Sequence, residues 1–246
     1  MGFLSFSQPP PNNGWHVMPL WHIVPYTCLM HPSDARTPAA SETPAQTLAE
    51  RRRDATRLEV ARAAAGLFAE HGPQHVTAEA IAQAAGISLR TFYRHFSAKE
   101  DAITPLLTSG ADNWVRLLAD APERDPLTLF PRLIDEVLLP QTAADREELR
   151  VTRGVLRSIA ETPLLRAVWH RVNADSEARL RPILSELCGP GVDPLDVRIL
   201  ATVASDAIRL GLEHWAAGDA DPDGAEGVPA AIAQQVFARL SRGLAA

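Results

Sequence analysis

The sequence predicts an all-α fold, and two features carry that expectation. From Leu48 onward apolar residues recur every three or four positions, the period of one helix face, and no stretch alternates apolar with polar as a half-buried strand would. The periodic stretches are divided by helix stop and start signals: Gly72-Pro73, Pro122 with Pro126, Thr162-Pro163, Gly189-Pro190-Gly191 and Asp193-Pro194. A length of 246 residues with 46% hydrophobic and 22% charged content suits one large globular domain or two smaller ones.

Residues 1–47 combine many Pro with Ser, Thr, Asn and scattered Trp, and no period runs through them. Such a segment buries no consistent face and is expected to be a disordered N-terminal extension. Met18 and Met30 are alternative starts within it. Its His16, His22, Cys28 and His31 are potential metal ligands, but their spacing matches no common zinc pattern, so no metal and no cofactor is expected. No Lys or Arg precedes the first short apolar stretch, and Phe6 stands where a myristoylation signal has Ser or Thr, so neither export nor a lipid anchor is expected. The cysteines, Cys28 and Cys188, form no CxxC and no disulfide framework. No apolar run approaches the roughly 18 residues of a membrane span. A cytoplasmic protein is the expectation.

The first helix starts near Leu48, and Leu58, Ala61, Ala64, Leu67 and Phe68 mark its inner face before Gly72 and Pro73 stop it. Two short helices joined by a tight turn are expected over residues 77–96. Thr77 caps the first, without a full capping box because Ala80 stands at the third position. Ile81 and Ala85 face the core, Ala82 is small where the second helix crosses, and Gly86 supplies the left-handed backbone that ends the helix. Ser88 caps the second helix and Phe92 with Phe96 pin its inner face, which leaves Arg90, Thr91, Tyr93, Arg94 and His95 outward. A small residue at 82, glycine at 86 and an apolar residue at 92 reproduce the spacing of a helix-turn-helix, whose second helix enters the DNA major groove. Further helices are expected at about 98–120, 126–140, 144–160, 163–188, 194–217 and 227–244, the last preceded by an acidic loop from Gly218 to Gly227.

Val76-Thr77, Ala85-Gly86-Ile87-Ser88, Thr91-Phe92-Tyr93-Arg94-His95-Phe96 and Ser97-Ala98-Lys99-Glu100 together resemble the N-terminal domain of the TetR family of regulators. Arg57, Ala63-Ala64, Leu67-Phe68, Glu70 and Gly72 stand where that family's first helix has similar residues, so the resemblance covers about residues 50–105. It implies a DNA-binding domain over 48–100 and a helical ligand-binding and dimerisation domain over 101–246. Carried over by position, it implies that Thr91 and Tyr93 contact bases or phosphates, that His95 and Lys99 contact the backbone, and that Thr77 brings a helix start to phosphate.

The chemistry of these residues adds its own expectations. Arg90 can engage a guanine edge bidentately. Leu89 can touch a thymine methyl or cover the core edge. Lys99, with the free N–H groups behind a Ser97-to-Glu100 capping box, can face one phosphate. Arg51-Arg52-Arg53 can follow a phosphate strand or end the helix in solvent. Net charge is −6 overall, but residues 50–100 hold eight Lys or Arg against six acids while residues 101–246 hold 15 against 22, which places a nucleic-acid site in the middle segment.

About 145 further residues exceed the needs of a DNA-binding headpiece, so a dimer interface, a ligand cavity or both are expected there. The resemblance implies that 194–217 and 227–244 form a four-helix interface in a homodimer, with Ile199, Val203, Ile208, Leu212, Ile232, Val236 and Leu240 as apolar rows; ordinary core is the competing assignment. Trp114, Arg150, Arg153, Trp169 and His170 are the candidate ligand-binding residues. Arg146, Arg150, Arg153 and Arg157 share one helix face, open to an anionic ligand such as an acyl-CoA or to a salt-bridged surface with Asp145, Glu147, Glu148 and Glu161; the surroundings of 150–165 resemble acyl-CoA-like ligand-binding regulators related to the mycofactocin regulator. The expected function is a ligand-responsive repressor, nucleoid-associated, released from a palindromic DNA operator by a small-molecule inducer. An enzyme on a helical bundle is disfavoured, since no ExxH pair, nucleophile elbow or glycine-rich phosphate loop is present.

Overall fold

A computed structural model describes residues 47–219 and 228–243, within which the secondary structure is entirely helical. The N-terminal extension up to residue 46, with its His and Cys residues, and most of the acidic loop lie outside the described residues. Helix α1 spans Leu48–His71 and opens with a capping box: Thr47 accepts from the Glu50 N–H at 3.2 Å while Glu50 accepts from the Thr47 N–H at 2.8 Å. Its buried face is Val60, Ala61, Ala64, Ala65 and Phe68, whereas Leu58 and Leu67 are only half-buried. The face is rotated from the expected one because α1 serves several neighbours at once.

Helices α2 (Ala78–Ala84) and α3 (Leu89–His95) follow, then α4 (Thr104–Ala119). Residues 100–103, expected as the first turn of that helix, form a separate 3-10 turn whose Ala102 and Ile103 are fully buried. No side chain caps this turn, so the capping box expected between Ser97 and Glu100 is not formed. The turn packs against α1, α4 and α7, and its two buried side chains fix it where an exposed helix start would have needed a cap.

The remaining helices are α5 (Pro126–Leu138), α6 (Ala143–Glu161), α7 (Pro163–Cys188), α8 (Pro194–Ala217) and α9 (Pro229–Leu240). Thr142 and Asp145 cap α6 reciprocally, and Asp193 caps α8 by accepting from the Leu195 N–H at 2.8 Å. Thr162 closes α6 and opens α7 at once, but its hydroxyl makes no cap, so Pro163 carries that start through its preset φ. Core aromatics join three helices: Trp114 of α4 lies 5.9 Å from Phe130 of α5, whose ring meets Phe237 of α9 edge-to-face at 5.5 Å. Between α1 and α6 the backbones approach closely at Gly154, and the Ser158 hydroxyl donates to the Phe68 carbonyl at 3.1 Å. No described helix is long and apolar enough to cross a membrane.

Candidate nucleic-acid interface

The two-helix unit is built by local chemistry. Thr77 accepts from the Ala80 N–H at 3.1 Å to start α2, and Ile81 with Ala82 are buried beneath it. Gly86 takes φ +66°, a left-handed value, which lets the Ile87 N–H return to the Ala82 carbonyl at 2.9 Å and turns the chain into α3. Ser88 accepts from the Thr91 N–H at 3.1 Å, and its hydroxyl lies 2.9 Å from that of Thr91. Phe92 is fully buried and locks the inner face of α3 against Phe96. Leu89, Arg90, Tyr93 and Arg94, at a helical i, i+1, i+4, i+5 spacing, form one exposed outer face, with Tyr93 56% exposed. An unshielded apolar and phenolic pair flanked by two guanidiniums can meet base edges and phosphates together.

Beside this face, the start of α1 and the side of α3 enclose an open groove of about 610 Å³ lined by Arg52, Arg53, Thr56, Ile87, Thr91, Arg94 and His95. Arg52 and Arg53, both exposed, border the α3 residues across this groove. Burial pushes the His95 imidazole below the ordinary histidine range, and the cations Arg94, Arg53 and Arg57 push it the same way. Its Nδ1 is buried without a hydrogen-bond partner. In the free protein His95 thus offers a neutral imidazole, while the arginines carry the charge. Thr56 and Ile87 have no periodic signal that marks them for this groove, which arises only where α1 and α3 cross.

Lys99 departs from expectation. Its ammonium donates to the carbonyls of Pro73 at 2.6 Å and Val76 at 2.8 Å, and the side chain is half-buried. These bonds tie the end of the helix-turn-helix to the segment between α1 and α2. The cation is turned inward as a structural clasp, not outward as a phosphate anchor, because two backbone carbonyls converge on it.

Residues 60–102 match the family model of bacterial regulatory proteins, tetR family. Over that segment the chain is similar to the DNA-binding domain of TetR-family transcriptional regulators. It is 29% identical over 191 residues to the HTH-type transcriptional regulator TcmR of Streptomyces glaucescens, covering 76% of this chain and 84% of that relative. Among solved structures, NalD of Pseudomonas aeruginosa, the secondary repressor of a multidrug efflux pump, is 22% identical with a TM-score of 0.49, covering 78% of this chain and 96% of that one. A protein of Mesorhizobium loti described as a TetR-family regulator is 21% identical with a TM-score of 0.48, covering 79% and 97% respectively.

In the helices beyond the helix-turn-helix the five candidate ligand residues are not brought together. Trp114 and Trp169 line a slot of about 50 Å³ between α4, α5, α7 and α8. Trp169 and His170 also line a more open cavity of about 280 Å³ with Arg157, Arg166 and Glu213, and the Trp169 indole N–H donates to Glu213 at 2.7 Å. Arg150 and Arg153 line neither cavity. Arg150 is half-exposed and paired with Glu147 at 2.6 Å. Arg153 is buried: its guanidinium lies over the Trp215 ring at 5.2 Å and donates to the carbonyls of Trp215 and Gly218 at 3.3 and 2.6 Å. Arg157 adds bonds to Ala216 and Gly218, so this part of the arginine stripe caps the C-terminus of α8, where cations suit the helix dipole. The apolar rows of α8 and α9 divide as well. Val203 and Leu212 are buried in this chain's own core, whereas Ile199 and Leu240 are exposed and Ile232 with Val236 are half-buried.

Proposed function

We propose that this regulator is a repressor that binds a palindromic operator as a homodimer and is released by a small-molecule inducer, and that it works on nucleoid DNA in the cytoplasm. The observation that carries the reading is the exposed face of α3, where Leu89, Arg90, Tyr93 and Arg94 stand free on a helix rigidly seated by Phe92. Ser88 and Thr91 at its start and Thr77 at the start of α2 complete the contact set, with the arginine-lined groove beside it drawing the phosphate strand. Lys99 acts in this set only by holding its frame.

The division of labour follows the chain: 48–100 binds DNA, and 101–246 takes the inducer and forms the dimer. The exposed Ile199 and Leu240 with half-buried Ile232 and Val236 supply an apolar face on α8 and α9 for a second copy. Two recognition helices then enter major grooves about one turn apart. The inducer favours an arrangement in which that spacing no longer fits, and the shift can be no larger than its difference in affinity for the two arrangements.

A gel shift on the DNA flanking the gene, with the parent chain, Arg90→Ala and Tyr93→Ala, tests this reading. The parent is expected to retard one fragment, and Arg90→Ala to weaken that binding by about 1–3 kcal/mol, the worth of one base-reading guanidinium. Equal binding by all three proteins, or none by any, would sink it.

A further inference from the structure

The slot between α4, α5, α7 and α8 has a chemistry of its own. Its lining includes Leu107, Val137, Val172 and Leu212 and contains no ionisable side chain. Two of the side chains that line it end in buried polar atoms without a partner: the Trp114 indole N–H and the Ser205 hydroxyl. Both residues are more than nine-tenths buried, at 5% and 8% exposure. Buried polar groups are almost always paired, because an unpaired one loses its hydration and gains nothing in return. Asn173, on the same wall, is by contrast satisfied through the Trp169 carbonyl at 2.8 Å. A donor-only indole N–H and a hydroxyl that can donate or accept, both lining one slot, call for an acceptor such as a carbonyl oxygen.

We propose that the effector of this chain is an uncharged, largely apolar molecule bearing a carbonyl-type acceptor, held in this slot by Trp114 and Ser205, and not an anionic acyl-CoA. The inference rests on the inducible-repressor reading and names the ligand class for it. A carboxylate or phosphate here would lose its hydration against an apolar wall with no cation to replace it. The arginines that once suggested an anionic ligand are committed elsewhere, Arg153 to the end of α8 and Arg150 to Glu147.

The size of the slot gives the coupling. At about 50 Å³ it is far smaller than the roughly 300 Å³ that small-molecule sites begin at, so an occupant separates α4 from α7 and α8. Helix α4 continues directly from the turn 100–103, whose Ala102 and Ile103 are fully buried in a turn that packs on α1. A wedge in the slot therefore loads the seat of the headpiece.

Calorimetry on the full chain without DNA tests the ligand class, using 9-fluorenone and 2-undecanone as neutral carbonyls, fluorene as the oxygen-free analogue, and fluorene-9-carboxylate and lauroyl-CoA as anions. At least one ketone is expected to bind, and fluorenone to bind more tightly than fluorene and its carboxylate. Ser205→Ala and Trp114→Phe are each expected to weaken ketone binding about five- to tenfold, the worth of one neutral hydrogen bond. Ser205→Ala should melt no lower than the parent, since the hydroxyl it removes has no partner to lose. Preference for either anion, ketone affinity unmoved by both substitutions, or no ketone binding overturns the proposal. Operator gel shifts with the same compounds separate the two readings: ketones that bind without releasing DNA leave the ligand class standing and refute induced release, whereas release by lauroyl-CoA alone does the reverse.

Discussion

Substituting Gly154 by alanine would force α1 and α6 apart. A Cβ at Gly154 would lie 2.6 Å from the Ala69 Cβ and 3.2 Å from the Ala69 Cα, against the roughly 3.5–4.0 Å of ordinary carbon contact. Both atoms are fixed by backbone, so neither can swing aside and the helices must separate by about 1 Å. Overpacking of this kind costs about 1–3 kcal/mol. Alanine also gains about 1 kcal/mol over glycine in a helix interior. The net expectation for Gly154→Ala is a loss of about 1 kcal/mol and, in a chain of this size, a melting point lower by about 2–4 °C. The contact is tested by adding Ala69→Gly, which removes the nearer of the two clashing atoms. Urea unfolding followed by far-UV circular dichroism, at one fixed protein concentration, should show a favourable coupling of about 0.5–2 kcal/mol between the two substitutions. Additive effects, or a Gly154→Ala protein more stable than the parent, would refute the claim that close approach of α1 and α6 requires glycine here.

Glu148 on α6 is 7% exposed, with one carboxylate oxygen unpartnered, and burial raises its pKa to about 7, reinforced by Asp145 and opposed by Arg62. A carboxyl raised above its unfolded value binds its proton more tightly in the folded state, so its contribution to stability falls as pH rises from about 4.5 to about 7 and is level above that. Glu148→Gln should remove this slope and stabilise the protein at pH 8 by on the order of 2 kcal/mol; melting curves of the two proteins that run parallel from pH 5 to pH 8 would refute it. Lys99→Gln should lower the melting temperature by several degrees, through loss of a charged clasp worth about 1.5–3 kcal/mol, while leaving the salt dependence of operator binding unchanged. A salt slope reduced by about one unit would instead make Lys99 a phosphate contact.

The helix-turn-helix was legible in the sequence because each of its parts is local. Thr77, Gly86 and Ser88 act on backbone within a few residues of themselves, and the spacing of Ile81, Ala82 and Phe92 follows from one turn geometry. The starts of α5, α7 and α8 and the ends of α7 and α8 were legible for the same reason, since Pro at a first turn and Gly after a last one act without tertiary help. The exception is instructive. Ser97 and Glu100 satisfy a local capping pattern, yet the chain there is set by burial of Ala102 and Ile103 and by carbonyls from residues 73 and 76 reaching Lys99.

The sequence by itself determined that this chain is helical, that residues 77–96 form a helix-turn-helix, and that Arg90, Tyr93 and Arg94 lie on the outer side of α3, though Thr91 and His95, also expected outward, are half-buried. Periodicity and capping are properties of neighbouring residues, so one strand of text contains them. Only the tertiary structure decided what the charged and polar side chains do. Four arginines on one face of α6 read alike in sequence; in space Arg153 and Arg157 meet carbonyls some sixty positions away, while Arg150 stays with its neighbour Glu147. Trp114, a candidate in sequence, and Ser205, which carries no sequence signal, sit on different helices and come to line one apolar slot with no partner for either polar atom. A charge or donor finds its partner through the fold, and its role is set by which partner lies within about 3 Å.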